Sequence, residues 1–339
     1  MPAVVYTPRW LYRFFAFIQR LPIRGWLLVV LVTIVGGLAM HLDAWRQGLL
    51  PVGQLNSYLI TVSLYIVAYP GIWMLLDQRA RVALKDFFQA KAKNRASFEA
   101  RVAAFVSLPS IPANIVFLLG SLSGVVLFQG VQQTSPLVGR VLPLWDLISW
   151  IPITGIMFML IYRMLRQAVL IPRLFAEIEV NLFDPSPVYA LSRYASQASV
   201  ALLVINYALV FASVPDFAFT AEAVLFQILV ITASLVFFFA PLASINQRMR
   251  RAKGHLLAEI GRDLEDMYGR VRRAVKTEKF DRVGELRNAI SALKDEIETI
   301  RKTPTWPWQP DALRNLLAPM LLPIIVYLVQ RFFGSMLGF

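Results

Sequence analysis

Seven stretches of this chain stay apolar over the thickness of a bilayer, and nothing else in the sequence constrains its fold as strongly. They run over 25–42, 55–76, 111–131, 141–162, 198–215, 219–243 and 315–337. About 20 residues of helix span a hydrocarbon core. In lipid, every backbone N–H and C=O must find its partner within the segment, so each stretch reads as a helix. Composition agrees, with 57% of residues hydrophobic and 16% charged, where soluble domains carry about a quarter charged. The expected fold class is an all-α polytopic membrane protein with seven transmembrane helices.

Lysine and arginine set the orientation, because positively charged loops stay on the cytoplasmic side. Of 34 such residues, 31 lie in 1–24, 77–109, 163–197 and 246–314, leaving only Arg46, Arg140 and Arg331 elsewhere. The N-terminus is therefore expected inside and the C-terminus outside. A formal net charge of +13 is absorbed by this asymmetry. The expected partner is the lipid bilayer, and no nucleic acid is needed to explain the charge.

The chain divides into four parts. Residues 1–24 include TPRWLYRFFAFIQRLPIR, where four arginines mix with Trp10, Tyr12, Phe14, Phe15 and Phe17. That mixture suits the headgroup layer and reads as a short interfacial helix. A disordered basic tail, or the basic lead of a secretory signal, are the other readings. Residues 25–245 hold six spans with cytosolic helical extensions. The second span runs on as helix through DQRARVALKDFFQAKAKNRASFEARVAAFV, and the fourth through YRMLRQAVLIPRLFAEIEVNLF. A turn at Asp184–Pro187 leads into the fifth, with Ser186 as N-cap and Pro187 as first helical residue. PDFAF joins the fifth and sixth spans as a tight hairpin.

Residues 246–303 are charged, with a buried pattern. Leu257, Ile260, Leu264, Met267 and Val271 recur at alternating spacings of three and four. Val283, Leu286, Ile290, Leu293, Ile297 and Ile300 do the same. That is a coiled-coil seam, written twice. One straight helix here would run about 87 Å and could not return to the membrane, so a hairpin turning near Lys276–Phe280 is expected. Residues 304–339 form a re-entry loop, where prolines end the helix, and then the seventh span.

The sequence carries no GxSxG, HExxH, P-loop or GxGxxG pattern. It has no cysteine, and its two histidines, His41 and His255, lie far apart. No enzyme, metal site or cofactor is expected. The outer ends of the spans carry Asp43, Asp146, Asp216 and Glu222. These read either as solvated helix ends or, for Asp146, Asp216 and Glu222, as a cation-attracting vestibule. Polar and aromatic residues enter the spans at Tyr58, Trp150, Tyr207 and Phe226. They read either as interhelical contacts or as a pocket for a small amphipathic ligand.

The segments VNLFDPSPVYALSRYAS and TWPWQPDALRNLLAPMLLPIIVYLVQ, set in this layout of spans, carry a resemblance. The chain resembles prokaryotic members of the seven-transmembrane ion channel superfamily. That superfamily includes insect odorant and gustatory receptors and gustatory-receptor-like proteins. The likeness is architectural and covers nearly the whole chain. It implies a homo-oligomer, usually a tetramer, whose cytosolic helices form an anchor. It also implies a last span lining a central cation pore, a ligand pocket among the outer halves of the other spans, and a plasma (inner) membrane location. Insect members often carry Thr-Tyr, five apolar residues, then Gln-Phe in the last span. Here Tyr327 and Gln330 are three apart and Arg331 precedes Phe332, so that motif does not carry over.

Tyr327, Gln330, and Phe333 or Gly334 share one helical face. That face either lines a pore or packs within the subunit. The leading expectation is a homo-oligomeric membrane channel or chemoreceptor-like protein, in its finer form a ligand-gated cation channel with the last span lining the pore. The alternatives are a non-conducting scaffold or sensor that binds a cytosolic partner through the hairpin, or a transporter.

Overall fold

The computed structural model of the chain describes residues 8–20, 25–88, 95–134, 137, 139–176, 186–213, 221–277 and 281–306, with positions 314, 317, 318 and 321. Along them run α1 (Arg9–Arg20), α2 (Gly25–Arg46), α3 (Ser57–Phe88), α4 (Arg95–Val106) and α5 (Ser110–Thr134). They are followed by α6 (Pro143–Ala176), α7 (Ser186–Ser213), α8 (Ala221–Lys276) and α9 (Asp281–Lys302). Among the described residues there is no strand. Five helical stretches are long and apolar enough to cross a membrane: Leu27–Arg46, Ser57–Phe88, Phe98–Gln129, Pro143–Ala176 and Ile228–Lys276. Among the described residues the fold is all-helical, and its five apolar helices mark a multi-pass membrane protein. The expected seventh span, 315–337, lies almost wholly outside the described residues.

The bundle is organised around α3, which packs against α2, α6 and α7, while α5 pairs with α6 and α8 lies on both α6 and α7. One end of the bundle carries the α2–α3 and α5–α6 loops. The other, the hairpin end, carries the ends of α3 and α6 and the distal half of α8. Lipid tails are as apolar as leucine, so helices here associate through close fit and polar contacts. Fit is visible in the aromatic core. Tyr65, Tyr69 and Trp73 are at most 1% exposed, and Phe87 meets Phe175 edge-on at 4.9 Å.

Close approach is sharpest between α5 and α6. A Cβ on Gly120 would sit 2.7 Å from Cβ of Phe158, and one on Gly124 would collide with the Thr154 hydroxyl. The two glycines are four residues apart, on one face of α5. This is the small-xxx-small packing of membrane helices.

A helix forms at the N-terminus, as expected. Leu11, Phe15 and Ile18 turn toward the bundle, at the helical spacing of four and three. Phe15 reaches Trp73 at 5.8 Å between ring centroids. Trp10 donates its indole N–H to Asn114 Oδ1 at 3.1 Å. The outward face keeps Phe14 and Phe17 exposed.

One expectation needs correction. The segment after the second span does not run on as one helix. α3 stops at Phe88, and α4 begins at Arg95 and folds back along α3. Arg81 and Glu99 form an ion pair at 3.2 Å, yet 18 residues of straight helix would hold them about 27 Å apart. Arg101 also lies over the Phe88 ring at 4.7 Å. The cause is the stripe of Phe98, Val102 and Phe105. Folding back lets α4 bury Val102 and Phe105 in the core, while a straight helix would leave them in water.

α8 is a single helix of 56 residues, with Pro241 inside it. Its apolar first half packs in the bundle and its charged second half leaves it. α9 returns antiparallel alongside. Lys253 donates to the carbonyls of Arg301 and Thr303 at 2.7 and 2.8 Å, and farther along the arms Lys294 lies over the Tyr268 ring at 5.8 Å. The helices break between Lys276 and Asp281, where the hairpin turn is predicted. Ile260, Ile290 and Ile300 are buried between the arms, whereas Leu257, Leu264, Met267, Val271, Val283, Leu286, Leu293 and Ile297 are only half-buried.

Candidate functional site

Two polar clusters stand at opposite ends of the bundle. The first lies at the loop end and contains two predicted pocket residues. Asn56 accepts the backbone N–H of Tyr58 at 2.9 Å, which caps the start of α3. Trp150 on α6 donates its indole N–H to the Tyr58 hydroxyl at 3.3 Å. Both are buried, 3% and 6% exposed, so they close on each other. Met40, Leu59, Val62 and Phe128 pack around them.

His41 and Asp43 fasten the loops over this pair. His41 Nδ1 lies 2.6 Å from the Gly37 carbonyl, and Nε2 receives the Asn56 N–H at 2.9 Å. A carbonyl can only accept, so Nδ1 carries the proton and Nε2 is bare. The ring thereby clamps α2 to the start of α3. Asp43 accepts the Leu142 backbone N–H at 3.0 Å and side-chain N–H groups of Arg46 and Gln47 at 2.9 and 2.5 Å. Leu142 has a left-handed φ of 41°, which a branched residue rarely adopts. The Asp43 carboxylate anchors it there and ties the α5–α6 loop to α2. Asp43 thus has a structural task, and lies only 8% exposed.

The second cluster sits at the hairpin end, and sequence reasoning missed it. Arg163 on α6 is completely buried. Its guanidinium meets the Asp77 carboxylate of α3 at 2.5 Å and lies over the Trp73 ring at 5.0 Å. It also points a donor at the Trp73 carbonyl, 3.5 Å away. Beside it, Tyr194 of α7 donates to Gln167 Oε1 at 2.8 Å, and burial pushes the Tyr194 phenol above its ordinary range. Gln167 donates in turn to the Phe105 carbonyl at 3.3 Å. Arg166 donates to the carbonyls of Ser107 and Ala104 at 2.5 and 3.2 Å. These carbonyls belong to the end of α4, where helix C=O groups lack intrahelical partners. The last turn of α4 has no basic residue of its own, so α6 supplies the cap. One network therefore joins α3, α4, α6 and α7.

The remaining predicted site residues are not brought together by these observations. Asp216, Tyr327, Gln330, Phe333 and Gly334 lie outside the described residues, as do the side chains of Asp146, Tyr207, Glu222 and Phe226. Asp77 and Arg163 each fall one residue beyond the predicted inner end of a span. That symmetry was the available signal, and its meaning depends on α3 and α6 being neighbours. No family model, curated protein or solved structure matches this chain.

Proposed function

We propose that the chain assembles as a homo-oligomeric, chemoreceptor-like membrane channel, a tetramer with the last span on its axis. The observation that carries this reading is the incompletely covered seam of the hairpin. Eight of its apolar positions remain half-buried between α8 and α9. Two arms leave that surface partly wet, and arms from further copies would finish covering it. Assembly through such an anchor would set the last spans around a common axis, with Tyr327, Gln330, Phe333 and Gly334 facing the pore.

Two further features support the reading. The Tyr58–Trp150 pair lies under fastened loops at the predicted outer end, where a small amphipathic ligand could separate the rings. The acidic residues Asp146, Asp216 and Glu222 fall at that same end in the predicted topology and would gather cations near the mouth. At the opposite, hairpin end, the Asp77–Arg163 network joins the helices that a ligand would have to move.

The first test is the mass of the purified particle in nanodiscs. A tetramer is expected, followed by cation conductance in planar bilayers that changes in Gln330→Leu and Tyr327→Ala. A strict monomer overturns the central pore. A tetramer that never conducts leaves the hairpin as an assembly or docking device and favours a membrane scaffold.

A further inference from the structure

We propose that the groove between α1, α2 and α3 is a binding site for one anionic phospholipid. This rests on the membrane reading of the helices and is independent of channel function. The groove encloses about 480 Å³, within the range of small-ligand sites. Its walls are apolar, from Phe14 and Phe17 of α1 and Val29 of α2 to Pro70 and Leu75 of α3. Gly71 hollows the α3 wall: a Cβ placed there meets nothing within 4 Å.

Length and charge identify the occupant. Along α3 the groove runs from Ile66 to Gln78, about 18 Å at 1.5 Å per residue. One leaflet of hydrocarbon is about 15 Å deep, half of a bilayer core. An acyl chain entering at Gln78 therefore reaches the midplane near Ile66. Gln78, the polar wall residue, stands toward the charged end of α3, where the headgroup belongs. Two arginines extend the helix faces that line the groove. Arg79 lies one turn beyond Leu75, and Arg20 one turn beyond Phe17, so both continue groove-lining faces. Both are exposed, and among the described residues neither forms an ion pair. The neighbouring carboxylate, Asp77, is turned inward to Arg163. A groove of leaflet depth with two cations at its mouth fits acyl chains below a negative phosphate.

The choice of phosphatidylglycerol over phosphatidylcholine follows. Both carry the same tails and a phosphate, but choline cancels the charge that Arg20 and Arg79 recognise. The full chain, purified in detergent, is titrated with each lipid at matched acyl composition, and binding is read by native mass spectrometry and by Tm. Wild type is expected to prefer phosphatidylglycerol by roughly 30-fold, from two arginines near an anionic headgroup. The double variant Arg20→Gln/Arg79→Gln is expected to bind both lipids alike, with its Tm in detergent alone unchanged. Gly71→Leu fills the hollow and is expected to lose both lipids. Equal binding of the two lipids by wild type overturns the proposal, as does an undiminished preference in the arginine variant. An equal Tm shift from glycerol 3-phosphate also overturns it, because the groove then plays no part. If Gly71→Leu fails to fold, the exposed arginine pair still decides.

Discussion

Arg163 has no water to turn to. It is completely buried, and its charge is balanced by Asp77 and by the face of Trp73. Removing one partner of a buried pair strands the other. Arg163→Met is expected to lower unfolding stability by about 3–5 kcal/mol, measured by thermal or chemical denaturation in detergent. Replacing both partners, as Asp77→Leu/Arg163→Met, removes the stranded charge and should recover most of that loss. A double variant as unstable as the single would sink this account. The sequence made both residues visible as ionisable groups at span ends, and nothing in it said that they meet. Pairing is a property of which helices touch. Tyr58 and Trp150 illustrate the same limit from the other side: their place inside the spans was legible from the sequence, but their mutual closure was not.

Among the helices, glycine makes opposite demands in two places. Between α5 and α6, Gly120 and Gly124 leave no room for a Cβ. Gly124→Leu should therefore separate the pair and leave little folded protein, read as monodisperse yield on size exclusion. On α8, Gly254, Gly261 and Gly269 face open space within a regular helix. Each change to alanine there should stabilise the arm by about 0.8–1 kcal/mol, the helix-propensity difference. Equal effects at both places would mean that packing is not what Gly124 serves. The arms of α8 and α9 were legible because their seam repeats over many turns, and the break near Lys276 followed from the need to return. The reversal of α4 was not legible. Helical spacing reads the same in a straight helix and in one folded back, and only burial of Val102 and Phe105 favours the latter. The GxxxG spacing of α5 stood in the sequence, but its partner on α6 did not.

At the scale of the whole molecule, the proposed assembly rests on the seam. Leu264→Asp places a charge on a half-buried position of the hairpin. If further copies complete the seam, this variant should run at monomer mass while keeping wild-type helicity by circular dichroism. An unchanged oligomer would move the assembly surface elsewhere. Helix content and the apolar spans were readable because bilayer thickness imposes a length that few other structures share. Function was less readable, since both polar clusters depend on which helices touch within the bundle. One consequence of α8 remains mechanical. Pro241 interrupts its backbone hydrogen bonding and makes a natural fulcrum. From there the helix extends to Lys276, about 52 Å at 1.5 Å per residue. A tilt of about 5° at that proline swings the hairpin tip through roughly 5 Å. Such gearing would turn a small adjustment at one proline into a displacement, at the far end of a lever, approaching one turn of helix.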